Sequence, residues 1–133
     1  MPESHDLATT LRQGLMPKLA GPVAWTTWTP TRTGWTDVGS PTVTARYCVA
    51  GQVGFFQVKV VPGTTTATVA GTSYISLPVT AGASGLSGSV EMADLTTNIA
   101  IGTGRIDPAD SRAYVPSQAA TGDTLTISGW YEV

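Results

Sequence analysis

From Trp25 to the carboxyl end, apolar and polar residues alternate over short runs, and Gly, Pro, Ser and Asp punctuate those runs. Runs rich in Val, Ile, Thr and aromatics occupy residues 42–49, 53–61, 67–70, 74–77, 89–93, 97–101, 112–115 and 124–131, which predicts about eight strands. Pro62-Gly63, Gly71, Pro78, Gly82, Gly85, Gly102, Gly104, Pro108 and Gly122-Asp123 separate them and supply turns or break the ladder. The clearest alternation is in the last run, where Leu125 and Ile127 face a core and Thr124, Thr126 and Ser128 face away. In the same way one of Trp130 and Tyr131 points inward, and one of Phe55 and Phe56. This pattern predicts an all-β, jelly-roll-like antiparallel β-sandwich over residues 23–133. The stretch AGASGLSGS at 81–89 reads as a long connection or exposed loop, with a linker as the alternative.

Residues 1–22 follow a different period. Leu7, Leu11 and Leu15 stand four apart, Ser4 or Asp6 is a candidate N-cap, and Pro17 is a stop. A helix of about ten residues that contains Gly14 is marginal alone in water, so its leucine stripe needs a surface. Gly21, Pro22 and Val23 read as a linker. The expected organisation is thus an arm, helical or extended, over 1–22, followed by one domain over 23–133.

Composition narrows the function. At 133 residues the chain has room for one core. Charged residues make up 12% and hydrophobic residues 41%, so Thr, Ser and Gly must cover the surface. Such a surface loses little rotamer entropy when ordered in a contact, although Thr is also common in any β protein. The net charge is −2 and seven Lys and Arg are scattered along the chain, which argues against nucleic acid as a partner. A single cysteine, Cys48, forbids an internal disulfide and reads as a buried small hydrophobe in its strand. No signal-type segment and no run of about 20 apolar residues occurs, so neither export by that route nor membrane insertion is expected.

Catalytic candidates are sparse. A nucleophile–His–acid site would have to use His5, the only histidine, which lies in the arm. Asp107, Asp110 and Asp123 form the densest carboxylate group, and Asp107-Pro108-Ala109-Asp110 reads as a turn rather than a metal site. Gly102-Thr103-Gly104 lacks the third glycine and following helix of a phosphate loop. No catalytic residue, metal or cofactor is expected, and the chain reads as a non-enzyme.

The aromatics carry more information. Trp25, Trp28 and Trp35 on the opening segment, with Trp130 on the last strand, are candidates for core or subunit contact, or alternatively for a sugar-stacking platform. The motif Trp25-x-x-Trp28-x-Pro30 is followed by Gly34-Trp35, Gly39, Ala45-Arg46-Tyr47, Gly51, Ile75-Ser76-Leu77-Pro78 and Ser128-Gly129-Trp130-Tyr131-Glu132-Val133. In that order these elements resemble the small β-sandwich domains of tailed-phage virions, found in head-decoration and head-fibre proteins and in the head domains of tail-fibre and baseplate receptor-binding proteins. The resemblance covers the chain from Trp25 onward. It implies a homotrimer on the virion surface, made in the host cytoplasm and contacting the major capsid protein or another virion protein. Only about 22 residues precede the sandwich, where receptor-binding proteins of this kind carry a long shaft, so the resemblance favours a capsid decoration or head-fibre protein. In that reading Leu7, Leu11 and Leu15 anchor the arm to the virion. A receptor-binding head that recognises host cell-surface carbohydrate is the alternative, and a non-viral accessory domain of an enzyme is a third.

Overall fold

The computed structural model describes residues 23–82 and 88–133. The arm with Leu7, Leu11 and Leu15 lies outside the described residues, as does His5. In chain order the strands are β1 Thr26–Thr27, β2 Arg32–Thr33, β3 Thr36–Val38, β4 Thr42–Ala50, β5 Val53–Val61, β6 Thr65–Thr68, β7 Tyr74–Ser76, β8 Gly88–Asp94, β9 Ile99–Asp107, β10 Arg112–Tyr114, β11 Gln118–Thr121 and β12 Leu125–Glu132. No helix occurs among the described residues. The chain is the expected all-β antiparallel sandwich.

One sheet of nine strands runs in the order β1-β4-β5-β12-β8-β9-β10-β7-β2, and a second runs β11-β6-β3. The large sheet curls because β9 serves two neighbours. Its first part, from Ile99 to Gly104, pairs with β8, and its last part, from Arg105 to Asp107, pairs with β10. Two devices bend it. Ile101 is skipped between the pairs Ala93–Ala100 and Met92–Gly102, which is a β-bulge and increases the local twist. At Gly104 any side chain would collide with the Tyr114 carbonyl, so only glycine lets β10 and the following chain come this close. Gly102 and Gly104, which read as breaks in the sequence, therefore lie inside one nine-residue strand.

The core forms where the two limbs of the curled sheet face each other. Phe56, Val58 and Val60 of β5, with Leu125, Ile127 and Tyr131 of β12 and Val90 and Met92 of β8, meet Ile106, Ala113 and Ile75 from the other limb. The strict two-residue period of β5 puts Phe55, Gln57 and Lys59 outside. Two rings lie over glycines across the β5–β12 pair: Phe56 opposite Gly129, and Tyr131 opposite Gly54. An added Cβ at Gly54 would stand 3.1 Å from the Tyr131 ring, and one at Gly129 would enter the Phe56 ring. The Tyr131 phenol donates to the Val79 carbonyl at 2.9 Å and accepts from the Val79 amide at 3.1 Å.

The opening segment links both sheets. β1 pairs with β4 and β2 with β7 in the large sheet, and β3 pairs with β6 in the small one. Arg32 holds Asp37 through two hydrogen bonds of 3.1 and 2.9 Å, and fully buried Thr66 donates to the same carboxylate at 2.9 Å. Gly34 turns the chain at φ 76°, with its carbonyl accepting from the buried Ser73 hydroxyl at 2.7 Å.

Tyr131→Phe, which leaves the Val79 groups without their partner, should cost about 1–3 kcal/mol in chemical denaturation. Gly129→Ala forces the Phe56 ring and the Ser89 carbonyl apart and should cost more. A Gly129→Ala protein as stable as wild type would refute the ring-over-glycine packing.

Candidate binding face

The register of the large sheet arranges its outward side chains in rows. One row reads Cys48, Phe55, Trp130, Ser89 across β4, β5, β12 and β8. The next reads Arg46, Gln57, Ser128, Glu91 and continues to Thr103 of β9. A third reads Thr44, Lys59, Thr126, Ala93, Ala100. Neighbours within a row are about 4.8 Å apart and rows about 7 Å apart.

Trp25 joins this face from the segment just before β1. The Arg46 guanidinium lies over its indole, 4.6 Å from the ring centroid, and Arg46 Nε donates to Gln57 Oε1 at 2.8 Å. Arg46 is thereby fixed between an aromatic face and an amide. Trp25, Phe55 and Trp130 are exposed by 41%, 40% and 46%, and they border one groove of about 490 Å³ with Gln57, Ser89 and Glu91. This groove adjoins two others on the same face, sharing Gln57 and Ser128 with one and Glu91 and Ser128 with the other. The three make a continuous trough, aromatic at one end and lined elsewhere by Thr and Ser together with Arg46, Gln57, Lys59, Glu91 and small apolar residues. Such a surface can stack flat apolar rings and exchange hydrogen bonds beside them.

The four tryptophans divide into two pairs. Trp28 is partly buried and packs edge-on against Tyr47 and Phe56, at centroid distances of 6.3 and 6.4 Å. Trp35 is also packed on the core, donates from Nε1 to the Tyr74 carbonyl at 3.1 Å, and carries Arg32 5.1 Å from its ring centroid. Trp25 and Trp130 point outward. Gln57 and Glu91 are not singled out by the sequence, and Phe55 and Arg46 stand there only as one of an adjacent aromatic pair and as part of a motif, not as members of a site. Their opposite parity to the core residues of β4, β5 and β8 is visible there, but the cross-strand register that unites them is not.

Cys48 departs from its expected place. It is half-buried on the outer face beside Phe55, because Val43, Ala45 and Tyr47 take the inward parity of β4. The carboxylates also separate. Asp107 Oδ1 accepts from the Ala109 amide at 3.2 Å, which is a turn as expected, and Asp110 lies 3.7 Å from Arg112 Nη1. Asp123 instead interacts with Asp94 of β8. Among the described residues no group of three or more His, Cys, Asp or Glu could hold a metal ion. Comparison with protein-family models, curated proteins and solved structures finds no match for this chain.

The Asp94–Asp123 pair gives the fold a defined response to pH. Burial of Asp94 works to raise its pKa, but bonds from the Thr97 amide, Asp123, the Thr97 hydroxyl and the Thr96 amide outweigh it and leave the carboxyl below its ordinary value. Asp123 is raised, first by its hydrogen bond to Asp94, then by desolvation and the Asp94 charge. The raised group stabilises the fold below its unfolded pKa and loses that contribution as pH rises through the folded one. The lowered group does so above its unfolded pKa and loses it as pH falls. The pair is therefore best with one proton, in the window between the lowered pKa of Asp94 and the raised pKa of Asp123. Above the raised Asp123 pKa both carboxylates are charged and repel. Asp123→Asn keeps the donor and removes the charge, so it should melt higher than wild type at pH 7, with a difference that shrinks as pH falls through the raised Asp123 pKa. A lower melting temperature at pH 7 would contradict this pairing.

The two tryptophan environments should also separate in stability. Trp35→Ala removes a core-packed indole and should cost about 3 kcal/mol, whereas Trp25→Ala loses chiefly the arginine contact, about 0.5–1 kcal/mol. Equal losses in urea unfolding would contradict the placement of the two rings.

Proposed function

We propose that this chain is a bacteriophage virion structural protein of the head-decoration or head-fibre kind that its sequence resembles, a homotrimer that works by contact rather than catalysis. The observation that supports this reading is the outer face. The sandwich has a closed core without Trp25, Phe55 and Trp130, and three large exposed aromatics grouped on one face mark a surface for a partner. The edge of the large sheet points the same way. Among the described residues β1 pairs with β4 only at Tyr47 and Arg46, so most of the nine-residue β4 edge has no strand partner, an arrangement that favours association. In this reading Leu7, Leu11 and Leu15 anchor residues 1–22 to the major capsid protein or another virion protein, and three arms on one trimer act together.

A second reading, a receptor-binding head domain that recognises host cell-surface carbohydrate, gains support from the outward direction of Trp25 and Trp130. Both readings place the protein on the virion surface. Light scattering of the reduced protein should give about three times 13.7 kDa, and a stable monomer would overturn the trimer. Deleting residues 1–22 should leave a folded trimer with nearly unchanged melting temperature that no longer decorates particles. Particle binding by the truncated protein would overturn the anchor.

A further inference from the structure

We propose that the trough on the outer sheet face is a binding site for a neutral, extended polysaccharide, with Trp25, Phe55 and Trp130 as stacking surfaces and Arg46, Gln57 and Glu91 as the hydrogen-bonding row beside them. The inference rests on the reading of this face as a partner surface and names what occupies it.

Three features choose this ligand. The first is charge: the outward positions of β4, β5, β12 and β8 carry Arg46 and Lys59 against Glu91 and Glu132, which cancel, so the face offers no field to nucleic acid or an anionic lipid surface. The second is the arrangement of the polar groups. Arg46 is held by Trp25 and Gln57, so its remaining donors are presented with little further loss of rotamer freedom, and Glu91 supplies acceptors in the same row. A pyranose ring needs this combination, an aromatic face under its C–H surface and planar polar groups at its rim. The third is shape. The aromatic groove continues past Ser128 into the neighbouring grooves of about 540 and 240 Å³, which gives room along the sheet for a chain rather than for one sugar. A protein interface of ordinary kind would instead have an apolar centre and a polar rim, whereas here the aromatics sit at one end and the rest of the trough mixes Thr, Ser and Ala with Arg46, Gln57, Lys59 and Glu91.

Affinity electrophoresis of the full chain in native gels containing mixed-linkage β-glucan, galactomannan, dextran or the acidic polymer polygalacturonate tests this. The expected result is retardation by at least one of the three neutral polymers, equal at low and high salt. Trp25→Ala and Trp130→Ala should each weaken it at least about tenfold, the scale of one lost aromatic contact. Leu95→Ala, outside this face, should leave it unchanged. If a tryptophan variant fails to fold by circular dichroism, Phe55→Thr and Glu91→Gln take its place and should also weaken binding. No retardation in any neutral gel, retardation only by polygalacturonate that salt abolishes, or retardation that survives these substitutions would each overturn the site. If, in addition, Trp130→Ala turns a trimer into monomers, the face is a subunit contact: the proposed assembly stands and the polysaccharide falls.

Discussion

The register between β5 and β12 is the constraint on which the rest depends. Side chains alternate with a period of two, so a one-residue slip of β12 would bring Trp130 into the core and expel Tyr131, and a slip of β5 would do the same with Phe55 and Phe56. Aliphatic alternation alone does not forbid this, since Val53–Val61 has Val on both faces. The two ring-over-glycine pairs do. Phe56 fits only opposite Gly129, and Tyr131 only opposite Gly54, and the Tyr131 hydroxyl is tied to Val79 on a different part of the chain. Glycine, which by itself weakens a strand, here makes space for a ring that covers it.

The opening segment solves a second problem, the closure of a curled sheet whose far edge is only two residues wide. β2 is the last strand of the large sheet, and β3, three residues later, belongs to the small one. Backbone pairing over such short strands contributes little. The bidentate Arg32–Asp37 pair, the Thr66 hydroxyl on the same carboxylate, and Trp35 between Arg32 and the Tyr74 carbonyl supply the rest. Desolvation works to raise the pKa of Asp37, but the bonds from Arg32 and Thr66 and the Arg32 charge leave it below its ordinary value. Its contribution is present at neutral pH and fades as pH falls through the folded pKa.

Sequence and structure agree where an element is long and amphipathic. β5 was bounded to the residue, and the inward set of β12 followed from Leu125, Ile127 and the Trp130–Tyr131 neighbours. β1, β2, β3 and β11 were not expected. Their two to four residues are mostly Thr, Ala or charged, with no inward apolar partner, so neither period could register them. β9 was expected to end at Ile101 because Gly102 and Gly104 read as breakers, yet the close approach of Tyr114 requires Gly104 in place. Gly34-Trp35, noticed as a motif, proved to have a structural cause in the turn and the clamp. The outer row lay beyond reach for a different reason: Trp25, Phe55 and Trp130 are far apart in the chain, and only the pairing of β4 with β5 and β5 with β12 makes them neighbours.

That last point bears on how the two faces of the sheet can change. Inward residues are locked by ring, glycine and bulge, so that most substitutions there carry a cavity or a clash. Outward residues on the same strands touch chiefly each other, and a change from Phe55 or Trp130 to another residue suited to strands leaves the register devices intact. The sandwich thus holds a rigid platform while the chemistry of its outer rows is free to vary. Arg46 is the exception on that face. Its guanidinium joins Trp25, which precedes the first strand, to Gln57 in the middle of the sheet, and through this contact the outer row also fixes where the chain enters the fold.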